Sequence, residues 1–317
     1  MSLVDRILAR DELREAPPVL VDVGASGHVH PKWRRIAKYS ICVAFEPDER
    51  ELGHVTEAAR GFRAFHTFNR AAAERSDERT RFHLTASPFC SSRLAPLKDS
   101  LENYVFAPLF EVERIVELPT IDVPTALGEL GLDRVDWFKC DTQGTDLRLF
   151  QSLGDGLVSR VLIAELEPGI IDAYEGEDKL ADVMRFMACK SFWMSQLSIE
   201  GSQRIQASIA AEELSELERR YLRVSVRPAP GWGEVEYFND FRDAETLGMR
   251  GFLLGYVFAT IRGHHAFALE LAVRGKHLFG DRVFDELRGE ALRRIRVNLA
   301  RFPLAVAKGL LGRVRGS

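Results

Sequence analysis

Two apolar runs, at 19–23 and 41–45, each end in polar residues whose types could bind a nucleoside. The first carries Asp22 and leads into a glycine turn, which consists of Gly24, Ala25, Ser26 and Gly27. The second leads into Glu46 and Pro47. A glycine turn lets the backbone approach a ligand closely, and a neighbouring carboxylate can accept hydrogen bonds from both hydroxyls of a ribose. Because ligands of parallel sheets bind at the carboxyl ends of the strands, these residues predict a nucleoside site.

The spacing of the glycines limits which nucleoside the turn could hold. A dinucleotide fingerprint is G-x-G-x-x-G, in which the second glycine makes room for a pyrophosphate. Two other residues separate Gly24 from Gly27, so the G-x-G element is absent. The turn therefore favours a ligand with a ribose and adenine but no pyrophosphate, and S-adenosylmethionine is the common ligand of that kind. Asp22 would lie near its amino-acid end and Glu46 at its ribose. The alternative is an ordinary strand–turn–helix with incidental glycines.

A third polar strand end carries Lys139 and Asp141, the predicted catalytic residues. Methyl transfer from such a donor is an in-line displacement at carbon, so a protein mainly aligns the reactants and helps the acceptor lose a proton. Asp141 could be the base or could position the donor, and its alternative role is to cap the following helix. Lys139 is expected on the same side and could pair with a carboxylate, either in the site or as an ordinary strand salt bridge.

Glu165 and Glu167 follow on the next apolar run and share one face, because they are two residues apart. They could contact substrate hydroxyls, bind a divalent ion together with Asp141, or bond to neighbouring backbone. Substrate contact is the prediction, and no metal site is predicted.

A turn-rich loop at 86–100 is long enough to be functional, and we expect it to act as a lid over the substrate. Ser91 and Ser92 are its candidate substrate contacts, but no partnered base accompanies them, so nucleophilic catalysis is not expected. His28 and His30 follow the glycine turn, where they could act as a base or simply pack or face solvent.

These residues need a scaffold of alternating strands and helices, which is typical of an α/β protein with a parallel sheet. Strands are predicted at 19–23, 41–46, 62–68, 79–85, 113–123, from 135, and at 160–167, 191–198 and 234–238. Helices are predicted at 2–15, from 31, at 48–60, from 124, and at 145–152, 177–189 and 206–221. From about 243 onward the pattern is helical only, at 247–262, 266–279 and 281–301.

The order of the motifs over roughly 18–200 resembles that of FkbM-type S-adenosylmethionine-dependent methyltransferases. The motifs are Val-Asp-Val-Gly-Ala-Ser-Gly, Phe-Glu-Pro, Cys-Ser-Ser-Arg-Leu, Asp-Trp-Phe-Lys-Cys-Asp-Thr-Gln-Gly-Thr-Asp and Tyr-Glu-Gly-Glu. The resemblance implies a Rossmann-like class I methyltransferase sheet with helices on both faces, formed by residues 1–240. Residues 241–317 lie outside it and form an α-helical C-terminal extension.

The resemblance also implies a cofactor, a reaction and roles for particular residues. The cofactor is S-adenosyl-L-methionine, and the methyl group goes to an oxygen, most often a hydroxyl of a saccharide, glycan or natural product. By position, Asp22 and the glycine turn line the methionine end, Glu46 holds the ribose, Asn69 to Ala71 flank adenine, and Asp141 stands beside the methyl donor. The chain departs from the family at Gln143, where a glutamate is common.

Composition and charge limit the partners. The chain has 317 residues, 46% apolar and 28% charged, with a net charge of −4, which indicates no general affinity for nucleic acid. Residues 292–317 hold seven positive charges and no acid, so this segment could lie on an anionic membrane surface or pack against acidic protein. The four cysteines form no C-x-x-C pair, and the N-terminus is too charged for a signal peptide, so a reduced, cytoplasmic protein is expected.

Two other functions remain open from the sequence. One is an NAD(P)-dependent oxidoreductase, against which the missing G-x-G argues. The other is a non-catalytic methyltransferase-like protein that keeps the fold and uses its C-terminal segment for docking. The expected partner is a small-molecule or glycan acceptor, and nothing in the sequence indicates an oligomeric state.

Overall fold

A computed structural model describes residues 2–25, 31–47, 61–76 and 79–314, of which 301–314 are described as backbone alone. The described chain forms two compact units. One spans Pro17–Arg242, and the other joins Met1–Ala16 to Asp243–Ser317. The C-terminal helices thus begin close to the expected boundary at 240/241, and the N-terminal segment is grouped with them.

The larger unit contains the strands, and their order brings the predicted site residues to one edge of a sheet. In the described residues, seven strands form one sheet in the order β3-β2-β1-β7-β8-β10-β9, and three form a small sheet in the order β4-β6-β5. The strands are β1 (Val19–Val23), β2 (Ile41–Phe45), β3 (Ala64–Phe68), β4 (Ala71–Ala72), β5 (Arg79–Thr85), β6 (Val112–Ile121), β7 (Trp137–Cys140), β8 (Ile163–Leu166), β9 (Phe192–Ser202) and β10 (Ala229–Asn239).

The large sheet is mostly parallel, because β3, β2, β1, β7 and β8 pair in parallel while β10 runs antiparallel to both β8 and β9. Its central strands are largely buried on both faces, as expected for strands that are covered on both sides. One face contributes Val21, Phe138, Ala164 and Val235 to the main hydrophobic core. The protein therefore has a mixed α/β fold with C-terminal helices, as the strand and helix pattern predicts.

The helices follow several of the predicted signals. They are α1 (Leu3–Leu8), α2 (Asp11–Glu15), α3 (Lys98–Leu101), α4 (Val123–Glu129), α5 (Asp146–Ser152), α6 (Gly154–Val158), α7 (Leu180–Ala188), α8 (Ala207–Glu213), α9 (Glu216–Ser225), α10 (Ala244–Ile261), α11 (His265–Phe279) and α12 (Val283–Val314), with 3-10 helices at Pro31–Arg35, Ala37–Tyr39, Pro88–Cys90 and Ala107–Phe110. The predicted helix at 48–60 lies outside the described residues.

Two predicted helices are each divided into two. The helix expected at 2–15 breaks before α2, because Arg10 adopts an extended conformation at that helix's N-cap. The helix expected at 206–221 breaks between α8 and α9. There Ser215 and Glu218 form a capping box, which satisfies the free backbone N–H groups of a new helix.

The smaller unit is helical. Its buried residues include Val4, Ile7 and Leu8 from the N-terminal segment and most of α10 from 251 to 260. The Arg250 guanidinium donates to the Ala16 carbonyl at 2.9 Å, and Arg10 pairs with Asp281 at 3.0 Å. Within the described residues, no helix is both long enough and apolar enough to cross a membrane.

Candidate functional site

Neighbouring strands place polar side chains in a single row across the sheet. Asp22 on β1 lies opposite Lys139 on β7, and Lys139 lies opposite Glu165 on β8. Glu165 in turn lies opposite Glu236 on β10, which lies opposite Gln196 on β9. Because side chains alternate between the two faces of a strand, this row lies on the face opposite to the main core. Sequence analysis found three members of this row but not its continuation on β10 and β9.

Lys139 and Asp22 form a buried ion pair, with Lys139 Nζ 3.1 Å from Asp22 Oδ1. Burial raises the pKa of Asp22, and the attraction of Lys139 only partly opposes this because Glu165 and Asp141 repel the Asp22 carboxylate. Burial acts to lower the pKa of Lys139, but the carboxylates of Asp22, Asp141 and Glu167 together hold it above its ordinary value. Both pKa shifts have the same origin, because a single ammonium group lies among several carboxylates.

Gly24 joins the ends of three strands. Its N–H donates to the Phe45 carbonyl at 3.0 Å, and the Asp141 N–H donates to the Val23 carbonyl at 2.9 Å. Gly24 has a φ of +77°, and a Cβ at this position would lie 1.9 Å from the Asp141 carbonyl oxygen. The glycine therefore lets the turn after β1 approach the end of β7.

A pocket of about 600 Å³ opens at this junction, and we call it the glycine-turn pocket. Its walls include five of the predicted residues, namely Gly24, Glu46, Pro47, Ser91 and Asp141. Apolar walls come from Phe45, Ala71, Ala72, Phe82, Pro88 and Phe89. The pocket therefore combines apolar walls with the carboxylates of Glu46 and Asp141, and Glu46 is only 4% exposed.

Arg93 adds a cation to the same pocket. One of its terminal nitrogens lies 2.8 Å from the Glu74 carboxylate. Its buried Nε has no hydrogen-bond partner in the part of the chain that the structure describes. A buried donor of this kind is costly unless something bonds to it, so the Arg93 Nε is a candidate hydrogen-bond donor to a ligand.

The turn after β7 is held by its own side chains. Gln143 has a φ of 56°, which is uncommon for a residue other than glycine. Its Nε2 donates to Asp141 Oδ1 at 2.6 Å, and its Oε1 lies 3.2 Å from the Tyr174 hydroxyl. Strained backbone that is held by surrounding contacts is common at functional sites. Here the hydrogen bond from Gln143 fixes the direction of the Asp141 carboxylate.

Ser91 and Ser92 occupy different environments although they are adjacent. Ser91 lines the glycine-turn pocket, where its Oγ accepts from the Thr85 N–H at 3.1 Å. Ser92 is fully buried, and its Oγ donates to the Gln143 carbonyl at 2.7 Å and accepts from the Leu94 N–H at 3.1 Å. The hydroxyl of Ser92 thus connects the 86–100 loop to the turn after β7. Substrate contact stays a prediction for both residues.

The two predicted glutamates on β8 also differ. Glu165 accepts from Lys32 Nζ at 2.5 Å and from Trp137 Nε1 at 2.7 Å, so both of its oxygens are bonded within the protein. Glu167 follows the last residue of the strand, and its N–H donates to Asp146 Oδ2 at 2.7 Å. The two glutamates share a face, as predicted, but Glu167 lies just beyond the carboxyl end of β8.

Glu167 lines two further cavities. The first, of about 1030 Å³, we call the aromatic groove, because Phe89, Phe106 and Trp232 line it together with Asp141, Glu167 and Glu234. The rings of Phe106 and Trp232 stack with centroids 6.5 Å apart. The second, of about 550 Å³, we call the polar cavity, and Lys32, Lys139, Glu165, Glu167, Glu234 and Glu236 line it. Asp141 and Phe89 line both the aromatic groove and the glycine-turn pocket, so these two spaces adjoin.

Other predicted residues lie away from these cavities or outside the described residues. Ala25 donates its N–H to the Phe45 carbonyl at 3.2 Å but does not line the glycine-turn pocket. Asn69 is exposed, although Ala71 and Ala72 just after it do line the pocket. Ser26, Gly27, His28 and His30 lie outside the described residues. Among the described His, Cys, Asp and Glu side chains, no group of three or more could hold a metal ion.

Sequence reasoning missed Glu234, Glu236 and Trp232, and it noted Tyr174 only as part of the Tyr-Glu-Gly-Glu motif. A local signal existed for the two glutamates, because Glu-Val-Glu alternates along β10 as Glu-Leu-Glu does along β8. No local signal could show that β10 inserts between β8 and β9, which is what brings these carboxylates to the site.

One comparison with known proteins identifies a family domain in this chain. A sequence model of the FkbM methyltransferase domain matches residues 23–192. That range includes the turns after β1, β2 and β7 and the end of β8. No curated protein matches the chain.

Proposed function

The chain belongs to the FkbM methyltransferase family, and from this premise we propose that it transfers a methyl group from S-adenosyl-L-methionine to a hydroxyl oxygen. The family match supports methyltransferase activity. The donor, the acceptor and the residue roles are our proposal, argued from the described site.

The glycine-turn pocket fits the adenosyl donor by the chemistry of its walls. Its apolar walls suit an adenine ring, and Glu46 at the end of β2 suits the two ribose hydroxyls. Gly24 and Asp141 lie on the side of β1 and β7, where the amino-acid end and the methyl group would be held, and Arg93 offers a buried N–H. Asp22 is paired with Lys139 and does not line this pocket. When bound, S-adenosylmethionine supplies a methyl group that is already activated by a positively charged sulfur.

The strand order supports the same proposal. The sequence β3-β2-β1-β7-β8 follows the 3-2-1-4-5 order of a Rossmann-like sheet, in which ligands bind where the strand order reverses. The glycine-turn pocket opens at that point, beside β1 and its neighbours. The antiparallel β10 then adds Glu234 to the acceptor side.

The acceptor would enter the aromatic groove, which adjoins the donor pocket at Asp141. Aromatic rings can stack on the apolar faces of a sugar or another hydroxylated molecule, and carboxylates can accept hydrogen bonds from its hydroxyls. We propose that Glu167 and Ser91 contact the acceptor. Glu165, Ser92 and Lys139 would hold the surrounding structure in place through the bonds described above. Asp141 lies between donor and acceptor and would align them.

Glu46 allows a direct test of donor binding. A charge-assisted hydrogen bond contributes roughly 1.5–3 kcal/mol, so Glu46→Gln should weaken binding of S-adenosylhomocysteine by about 10-fold to 100-fold. Isothermal titration calorimetry would measure this. Wild type should bind an analogue without ribose hydroxyls more weakly than S-adenosylhomocysteine, by a similar factor. The Glu46→Gln variant should bind the two ligands with nearly equal affinity. Glu129→Gln, at an exposed surface pair with Arg70, is the matched control and should bind as wild type does.

The same titration separates the rival functions. If the wild-type protein bound NAD and not S-adenosylhomocysteine, the proposal would be wrong and an oxidoreductase would be favoured. If it bound neither, a non-catalytic role would be favoured. If S-adenosylhomocysteine bound tightly and Glu46→Gln bound it as wild type does, the ribose role of Glu46 would be wrong, and the proposed methyl donor would still stand.

A further inference from the structure

Glu167 lies where the aromatic groove and the polar cavity meet. It lines both the aromatic groove and the polar cavity, and only Glu234 also does so among the described acids. Its backbone is fixed by the hydrogen bond from its N–H to the buried Asp146. Its carboxylate accepts no hydrogen bond from the described part of the chain. It is therefore held in position with its oxygens available to a ligand.

Asp141, the other acid at the donor–acceptor boundary, is arranged differently. Its Oδ1 accepts from Gln143 Nε2 at 2.6 Å, and the Gln143 backbone is held in turn by Ser92. The Gln143 contact thus holds the Asp141 carboxylate in one direction, which suits it to positioning the donor.

The groups around Glu167 are mostly of its own charge. Burial raises its pKa to about 9, and the charges of Asp141, Asp146 and Glu234 act in the same direction, while Lys139 opposes them. Lys32, Glu165 and Glu236 face the same cavity, and Glu177, which is paired with Lys179, lines the groove. A positive charge placed beside Asp141 would offset one of the carboxylates that repel Glu167.

We propose that Glu167 is the proton acceptor of the reaction, and that the positive charge of the bound methyl donor beside Asp141 is what ionises it. This inference rests on the function proposed above. In the balanced reaction, the acceptor oxygen bonds to the methyl carbon while the carbon–sulfur bond breaks with its electron pair left on sulfur. The hydroxyl proton passes to a Glu167 oxygen and then to water. Asp141 positions the donor and takes no proton.

The proposal can be tested without knowing the acceptor, because the donor and its product differ by one positive charge. Binding of S-adenosylmethionine near neutral pH should release about one proton from Glu167. Binding of S-adenosylhomocysteine, whose sulfur is neutral, should release far less. Titration calorimetry in two buffers of different ionisation enthalpy measures the number of protons released with each ligand.

Three variants locate the released proton. Glu167→Gln should abolish the extra proton release with S-adenosylmethionine. Its affinity for S-adenosylhomocysteine should stay within about threefold of wild type, and this retained binding would show that the variant is folded. Glu234→Gln and the exposed Glu117→Gln should both keep the release. With any acceptor that wild type methylates, Glu167→Gln should lower kcat by at least about 100-fold, the usual contribution of a general base.

Each alternative outcome has a distinct meaning. Equal proton release with the two ligands in wild type would overturn the proposal, even if Glu167→Gln failed to fold. Release that persists in Glu167→Gln would also overturn it. If neither ligand bound wild type, the proposed function would fail, which is distinguishable from a failure at Glu167 alone.

Discussion

At the scale of single residues, Asp146 holds the two halves of the site together. It is fully buried, and its Oδ1 accepts from the Thr142 N–H at 3.0 Å and from the Thr142 hydroxyl at 2.7 Å. Its Oδ2 accepts from the Glu167 N–H at 2.7 Å. One carboxylate therefore fixes both the turn that carries Asp141 and the strand end that carries Glu167. Glutamate at this position would have to fit one more methylene into a close-packed space.

The titration of Asp146 makes folding stability depend on pH. Burial raises the pKa of Asp146 to about 6, with the charge of Asp141 acting in the same direction. In the unfolded chain its pKa is about 3.9, so between these values the folded protein holds a proton that the unfolded chain has lost. Its favourable contribution is therefore complete below about pH 4 and declines as the pH rises towards 6, by roughly 3 kcal/mol.

Asp146→Asn cannot titrate, so we expect a smaller decline of the unfolding free energy between pH 4 and 6 than in wild type. Urea unfolding at several pH values measures this slope. The variant should also be less stable overall, because an amide replaces one acceptor oxygen with a donor. The exposed Asp99→Asn is the control and should keep the wild-type slope. An unchanged slope in Asp146→Asn would show that this carboxyl does not carry the shift.

At the scale of elements, the site depends on how closely β1 approaches β7. The parallel register sets Asp22 beside Lys139, and the hydrogen bond from the Asp141 N–H to Val23 continues the ladder beyond the strand. The turn after β1 then passes over the end of β7 with no room for a side chain at Gly24. The glycine-turn pocket exists because these two strand ends lie this close together.

Gly24→Ala should break this junction. The left-handed backbone alone costs about 1 kcal/mol or more for an L residue, and the added Cβ would overlap the Asp141 carbonyl. We expect the free energy of unfolding to fall by several kcal/mol, measured by denaturant titration. Gly128→Ala in α4, where a Cβ would meet nothing within 4 Å, is the matched control and should be neutral or stabilising by about 0.5–1 kcal/mol. Equal stability of the two variants would contradict this account of the junction.

At the scale of the whole molecule, some features could be predicted from local sequence and others could not. The bounds of β1 and β5 follow from apolar and alternating runs, and the positions of Glu46 and Asp141 follow from where apolar runs end. The pairing of β10 between β8 and β9 depends on contacts between distant residues, which leave no local pattern. The left-handed backbone of Gln143 is likewise held by hydrogen bonds from Ser92 and Tyr174, which lie in two other segments of the chain.

The grouping of the N-terminal segment with the C-terminal helices is another feature that local sequence could not show. Helix α1 packs against α10, and Val4, Ile7 and Leu8 are buried. Arg10 reaches Asp281, and Arg6 reaches Glu286 at 3.0 Å. Such surface ion pairs contribute little by themselves, so burial of the apolar residues carries most of the stabilisation.

Deletion of residues 1–16 should therefore loosen the helical unit before the sheet. Each buried aliphatic side chain contributes roughly 1.5–3 kcal/mol, so the loss amounts to several kcal/mol. Hydrogen exchange measured by mass spectrometry should show faster exchange in α10 and α11, while amides of β1, β7 and β8 keep their protection. Asp11→Ala, which removes an exposed pair with Arg14, is the control and should leave both regions unchanged. If the deletion instead accelerated exchange in the sheet and left the helices protected, the N-terminal segment would have to be assigned to the larger unit.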